Sequence, residues 1–136
     1  MKLIPKAPTA KNPPEYFTGD VWLDMLATPQ GTDQRMTVAL VRFAPGARTA
    51  WHAYARGQTL HIAQGTALIG MRDGQVIRAS AGQTVYLEPG EEHWHGATAT
   101  DFMEHLALQE NTDDSANTTT WLEHVSDDDY QNAQEK

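Results

Sequence analysis

The sequence predicts a single all-β domain, folded as a sandwich or a barrel. From about position 16 to 109, short apolar stretches with β-branched or aromatic residues are broken by Gly, Pro or Asp, at the spacing of roughly eight to twelve residues typical of such folds. The 136-residue chain can bury one core without disulfides, and it contains no cysteine. We therefore predict a barrel at 16–125, an extended arm at 1–15 and a short helix with a tail at 126–136.

Each predicted element follows from a local pattern. The arm is rich in proline and has few periodic apolar residues. Asp73-Gly74 gives the strongest hairpin signal, because glycine accepts the positive φ of a tight turn. Ser126 is expected to cap the helix, with Asp129 in its first turn. The predicted strands lie near 18–26, 34–44, 47–54, 58–64, 66–72, 75–79, 83–87, 93–97 and 101–109.

The charge of the chain excludes several classes of partner. The 18 acidic and 10 basic residues give a formal net charge of −8, with much of the acid near the C-terminus. Such a charge argues against binding to nucleic acid or to anionic membranes. The sequence shows neither a signal peptide nor an apolar run of about eighteen residues. We expect a cytoplasmic protein that acts on a small molecule.

Polar residues recur on one face of the predicted strands. Side chains alternate faces along a strand, so His52 shares a face with Tyr54, and His93 shares one with His95. If the strands curl into one barrel, a single cavity receives His52, Tyr54, Gln58, His93, His95, His105 and Gln109. Each unpaired polar group buried there would cost about 1–3 kcal/mol, which a bound metal with ordered water would offset.

Two motifs give this barrel a family resemblance. The chain contains G-x5-H-x-Y-x3-Q-x6-G from Gly46 and G-x5-E-P-G-x2-H from Gly82. This pattern resembles the cupin superfamily, which keeps the same spacings with His, Glu and Pro in place of Tyr54, Gln58 and Glu88. The resemblance implies a double-stranded β-helix, also called a jelly-roll barrel.

A closer resemblance is carried by F-A-P-G-A-R-T-A-W-H, G-Q-T-L, P-G-E-E-H-W-H-G-A and H-L-A-L-Q-E. These segments look like the bacterial cupin-type hydroxynitrile lyases. The resemblance implies a lyase that reversibly cleaves cyanohydrins to an aldehyde and hydrogen cyanide. It also implies a divalent metal, manganese first, with iron, zinc and nickel as alternatives, and a homodimer or higher homo-oligomer. Carried over by position, the ligands are His52, Gln58 and His93; the catalytic residues are His95, His105 and Gln109; and the substrate pocket includes Ala39 and Val41.

Tyr54 stands where the family has a further histidine ligand. Its phenol could bind the metal as phenolate, could hydrogen-bond a metal-bound water, or could prevent stable metal binding. Three functions therefore stay open. They are the lyase, an iron- or manganese-dependent dioxygenase, and a small-molecule sensor with a degraded metal site.

Three further residues are assigned mainly structural roles. Arg48 is expected to pair with an acid rather than with a substrate carboxylate. Trp51 and Trp94 are expected to point outward and to pack between subunits or against the N-terminal arm.

Overall fold

The computed structural model describes residues 1–136, and its regular secondary structure consists almost entirely of antiparallel strands. A single turn of 3-10 helix spans Ser115–Asn117, and one α-helix, α1, spans Asp127–Gln134. The strands are β1 (Ala10–Lys11), β2 (Phe17–Thr18), β3 (Val21–Ala27), β4 (Met36–Phe43), β5 (Arg48–Thr49), β6 (His52–Tyr54), β7 (Gln58–Gln64), β8 (Thr66–Met71), β9 (Val76–Ser80), β10 (Thr84–Leu87), β11 (His93–Ala97), β12 (Met103–Glu110) and β13 (Thr119–Trp121).

The strands form two sheets that curl around one core. The first has the order β1-β3-β4-β12-β7-β10, and the second has the order β13-β6-β11-β5-β2, with β8 joining β11 to β9. Inward residues alternate with outward ones, as in β4, where Ala39, Val41 and Phe43 are buried. Phe43, Leu60 and Met103 meet between the sheets in the main hydrophobic cluster. The predicted all-β jelly-roll barrel is confirmed.

The C-terminal helix begins as predicted and covers the outside of the second sheet. The hydroxyl of Ser126 accepts a hydrogen bond from the Asp129 backbone N–H at 3.0 Å, which caps the helix. Tyr130 of the helix is buried in a cluster with Trp51 and Trp94. The expectation that these two tryptophans pack between subunits or against the arm is therefore wrong, because the helix already covers them.

Arg48 anchors this helix to the barrel. Its side chain is buried, donates to Asp127 at 2.8 Å and to the carbonyl oxygen of Val125 at 3.0 Å, and lies over the ring of Tyr130. The prediction that Arg48 pairs with an acid is confirmed.

Two local features differ from the sequence-based expectation. The strand predicted at 47–54 is divided into β5 and β6, because the backbone N–H of Ala50 donates to Tyr16 and that of Trp51 donates to Glu123. The arm contributes β1, which pairs with β3, although it was expected to be only extended chain. No helix has the length and apolar character needed to cross a membrane.

Candidate metal centre

Three histidines converge at one end of the barrel interior. His52 on β6 lies opposite His93 on β11, and His95 follows two residues later on the same face. All three are buried, and their candidate ligand nitrogens lie within 4.8 Å of one another. The alternation of side chains along each strand produces this convergence, as the sequence predicts.

Backbone carbonyls fix which nitrogen of two histidines carries the proton. His52 Nδ1 lies 2.9 Å from the carbonyl oxygen of Ala50, and His93 Nδ1 lies 2.9 Å from that of Glu91. A carbonyl only accepts hydrogen bonds, so both Nδ1 atoms donate, and each Nε2 keeps its lone pair. Histidines that bind metals are commonly held in this way.

Gln58 adds an oxygen to the same group. Its Nε2 donates to Gln109 Oε1 at 3.3 Å, which directs its Oε1 to a position 3.2 Å from His93 Nε2. Two lone pairs therefore face each other, an arrangement that a cation between them would stabilise. Neighbouring ligands of one ion lie about 3 Å apart when each is about 2.1 Å from it. The predicted ligands His52, Gln58 and His93 thus fit a divalent metal.

His95 forms a pair with His105 across the two sheets. His105 Nε2 and His95 Nδ1 are 3.0 Å apart. The Nε2 atoms of His52 and His95 are fully buried and have no hydrogen-bond partner. An unpaired buried polar atom costs about 1–3 kcal/mol, so these nitrogens are suited to a metal or a substrate. When His95 Nδ1 donates to His105, the Nε2 of His95 presents a lone pair to the same group.

Burial keeps these histidines neutral. Removal from water lowers the pKa of His52 to about 3 and the pKa values of His93 and His105 to about 4. For His95 the pKa is lowered well below 6.5 by burial first and by the neighbouring histidines second. Neutral imidazole is the form that binds metals.

Tyr54 lies beside this group as a buried phenol. Its ring meets that of His52 edge to face, with centroids 5.4 Å apart. Burial raises the pKa of Tyr54 to about 12, although contacts of its hydroxyl with Thr119 and Gln58 act in the opposite direction. Without a cation beside it, the phenol is neutral.

A pocket of about 100 Å³ opens beside the histidines. It contains the predicted residues Ala39, Val41 and Gln109, and none of the side chains around it belongs to Asp, Glu, Lys or Arg. Its lining consists of Asn12, Phe17, Leu23, Met25, Ala39, Val41, Phe43, Thr49, Tyr54, Gln58, His95, His105, Ala107, Gln109 and Trp121. The pocket is therefore mostly apolar, with a few neutral hydrogen-bonding groups, as is usual for small-molecule sites.

Two segments outside the main barrel strands cover this site. The ring of Trp121 on β13 lies 4.8 Å from that of His52, and Tyr16, which directly follows the arm, stacks on Trp121 at 4.5 Å. Trp121, Tyr16 and Asn12 were not predicted as site residues. Their segments lack the metal-ligand spacing that identified the histidines.

The family model that describes the cupin domain matches residues 39–108. This chain is a cupin. It is 41% identical over 131 residues to a protein from Granulicella tundricola named (R)-mandelonitrile lyase, with 96% of this chain and 97% of the relative covered.

Solved structures share the fold of this cupin. A cupin-like protein from Thermotoga maritima is 30% identical with a TM-score of 0.86, and the match covers 99% of this chain and 98% of that one. A cupin-2 domain protein from Shewanella frigidimarina is 22% identical with a TM-score of 0.53, covering 64% and 78% of the two chains. The latter likeness concerns the fold alone.

The remaining two histidines lie outside the site. His61 is on the outer side of β7, where its Nδ1 contacts the Thr84 hydroxyl at 2.8 Å. His124 lies near Thr18 in an exposed segment. Four of the six histidines therefore lie in the interior of the barrel, and the other two lie on its outside.

Proposed function

We propose that this cupin is a divalent-metal-dependent lyase that cleaves cyanohydrins. The observation that carries the proposal is the position of His95, whose Nε2 is buried and unpaired and which has a ring nitrogen within 4.8 Å of nitrogens of His52 and His93. A neutral proton acceptor beside the proposed metal ligands, in a pocket without charged side chains, supports this chemistry. The likeness to the (R)-mandelonitrile lyase supports the same chemistry.

In this proposal His52, Gln58 and His93 would hold the ion, and manganese is the first candidate. The amide oxygen of Gln58 suits manganese, and the imidazoles suit the alternatives iron, zinc and nickel. A divalent ion bound there would supply positive charge to stabilise the substrate oxygen. The chain itself offers no cation in the pocket to do so.

The reaction transfers one proton and breaks one carbon–carbon bond. His95 Nε2 accepts the proton of the substrate hydroxyl, and the bond to the nitrile carbon breaks with its electron pair leaving on cyanide. The carbon that carried the hydroxyl becomes an aldehyde, and cyanide takes up the proton as hydrogen cyanide. His105, 3.0 Å from His95 Nδ1, orients the imidazole and stabilises it while it carries charge.

The lining of the pocket favours a neutral substrate. Lys and Arg are absent from it, so a substrate carboxylate would find no cationic side chain to pair with. Gln109, held by Gln58 at 3.3 Å, is placed to hydrogen-bond the substrate. A cyanohydrin is neutral and combines a hydroxyl group, a nitrile and an apolar substituent.

Cleavage of mandelonitrile by protein loaded with manganese tests the proposal. We expect benzaldehyde to form, and the activity to disappear after chelation and to return when manganese is restored. Inactivity of the fully loaded protein would exclude the lyase. Consumption of an organic substrate that depends on oxygen, measured with an oxygen electrode, would instead indicate the dioxygenase alternative.

A further inference from the structure

The N-terminal arm places one polar side chain in the pocket. The backbone N–H of Asn12 donates to the carbonyl oxygen of Val21 at 2.8 Å, which continues the pairing of Lys11 with Trp22 in β1 and β3. Opposite residues of an antiparallel pair project to the same face. Asn12 therefore shares the interior face of Val21 and Leu23, and its side chain lines the pocket.

The amide nitrogen of Asn12 has no partner in this position. Its Nδ2 atom is screened from solvent and makes no hydrogen bond. Buried donors are nearly always paired, so an unpaired donor on a residue that lines a small-molecule pocket indicates a ligand acceptor. Nothing else in the pocket explains the presence of an amide among Phe17, Leu23 and Phe43.

We propose that Asn12 is a substrate-binding residue whose side-chain N–H donates a hydrogen bond to the nitrile nitrogen of the substrate. This inference rests on the proposed lyase function. The hydroxyl group of a cyanohydrin is assigned to His95 and the metal site, so the nitrile nitrogen is the acceptor that remains. Negative charge develops on cyanide as the carbon–carbon bond breaks, and a hydrogen bond to a charged acceptor is stronger than one to a neutral acceptor.

The same assignment gives the arm a role in catalysis. Asn12 lies at the end of the barrel marked by Val21 and Phe43, and Gln109 pairs with Thr37 at the opposite end of β4. The two amides therefore approach the pocket from different directions. With Asn12 holding the nitrile, the pocket distinguishes the two ends of the substrate.

Kinetics of three variants test this role. In Asn12→Ala and Asn12→Asp we expect kcat/KM for mandelonitrile to fall about tenfold, mainly through kcat, because the donor acts most strongly as charge develops. Asp keeps the shape of Asn without the N–H but adds a negative charge, whereas Ala adds no charge, so a loss common to both variants reports on the missing donor. Lys11→Ala is the matched control, since Lys11 lies on the outer face of the same strand and pairs with Asp20 at 2.9 Å; its kinetics should equal those of the wild type.

A second readout reports on the hydrogen bond without turnover. Phenylacetonitrile is mandelonitrile without its hydroxyl group, and a donor to its nitrogen raises the infrared C≡N stretching frequency. We expect the frequency for the bound nitrile to be lower in Asn12→Ala than in the wild type, with manganese content and thermal unfolding midpoint unchanged.

The possible failures can be told apart. Wild-type protein that does not cleave mandelonitrile contradicts the proposed function. Active wild-type protein with an equally active Asn12→Asp variant, or with the same nitrile frequency in Asn12→Ala, contradicts the role of Asn12. Loss of metal or of thermal stability in Asn12→Ala would show that Asn12 supports the fold rather than the substrate, and would also overturn the inference.

Discussion

His93 Nε2 and Gln58 Oε1 lie 3.2 Å apart and direct lone pairs at each other. In this arrangement His93 Nδ1 contacts the carbonyl oxygen of Glu91, and Gln58 Nε2 donates to Gln109. The barrel thus holds two acceptors together without a donor between them. This relationship is the strongest structural indication of a cation site in the molecule.

Replacement of Gln58 should weaken metal binding. Gln58→Ala removes an oxygen ligand, and we expect the affinity for Mn²⁺ to fall by about tenfold or more. Titration calorimetry on metal-free protein measures this change. Gln64→Ala, at the exposed end of the same strand, is the control and should bind as the wild type does. Equal affinities in the two variants would remove Gln58 from the ligand set.

Replacement of Tyr54 by histidine should strengthen metal binding. Burial disfavours the phenolate, with the pKa of Tyr54 at about 12, whereas neutral imidazole is a ready ligand. We expect Tyr54→His to bind Mn²⁺ about tenfold more tightly or better, since one more ligand is added. Metal content after purification and calorimetry are the measurements. An unchanged affinity would mean that the Tyr54 oxygen already ligates the metal.

Removal of the His95 side chain should separate chemistry from metal binding. In His95→Ala we expect mandelonitrile cleavage to fall by about a hundredfold or more, while bound manganese stays at the wild-type level. His61→Ala is the matched control, because His61 lies on the outside of the barrel. Loss of both metal and activity in His95→Ala would assign His95 to the metal ligands instead of the proton transfer.

Acid should destabilise the metal-free protein before the buried histidines themselves titrate. The pKa values of His52 and His93 are about 3 and 4 in the folded protein, against an ordinary value of 6.5. Between these values the unfolded chain binds protons that the folded chain does not, so the free energy of unfolding falls as pH falls. We expect a loss of about 1–2 kcal/mol per histidine near pH 5.

Urea unfolding of chelated protein at several pH values measures this effect. The double variant His52→Gln/His93→Gln should lose less stability over the same range, because it lacks two of the groups responsible. An unfolding free energy that stays constant from about pH 7 to 5 would contradict the proposed cause.

The attachment of the C-terminal helix depends on Tyr130. Its hydroxyl donates to the carbonyl oxygen of Ala97 at 2.6 Å in a buried position. We expect Tyr130→Phe to lower the free energy of unfolding by about 1–2 kcal/mol, because the carbonyl loses its partner. Denaturant unfolding measures this change, and Tyr86→Phe, at a side chain that is 58% exposed, should have little effect. Similar values for the two variants would show that the hydrogen bond contributes nothing.

The central site could be predicted because its residues follow the alternation of side chains along strands. Alternation along strands assigned His52, Gln58, His93 and His105 to the interior, and the glycine spacing assigned the strands to a barrel. In the structure Gly65, from the first motif, has φ of 74°, and a side chain there would collide with the carbonyl oxygen of Phe102. Such positions require glycine, so the spacing of the glycines carries information about the fold.

The contacts that α1 and the N-terminal arm make with the barrel could not be predicted in the same way. Trp94 alternates outward as expected, but what it contacts depends on where α1 docks, and no local pattern encodes that. Asn12 lies between a lysine and two prolines, where polar and apolar residues do not alternate as they do along a strand. Its position in the pocket results from one strand pairing, between β1 and β3. Contacts of this kind depend on tertiary packing rather than on sequence period.

Tyr16 and Trp121 stack at 4.5 Å over the pocket, and both lie outside residues 39–108, the region that the cupin family model describes. The region described by the family model therefore does not include these two rings, of which Trp121 lines the pocket. Two cupins with the same interior ligands can therefore differ in what reaches those ligands, through changes in the first and last segments of the chain alone. For an engineer who wants to alter substrate range, these segments offer positions that lie outside the region shared by the family.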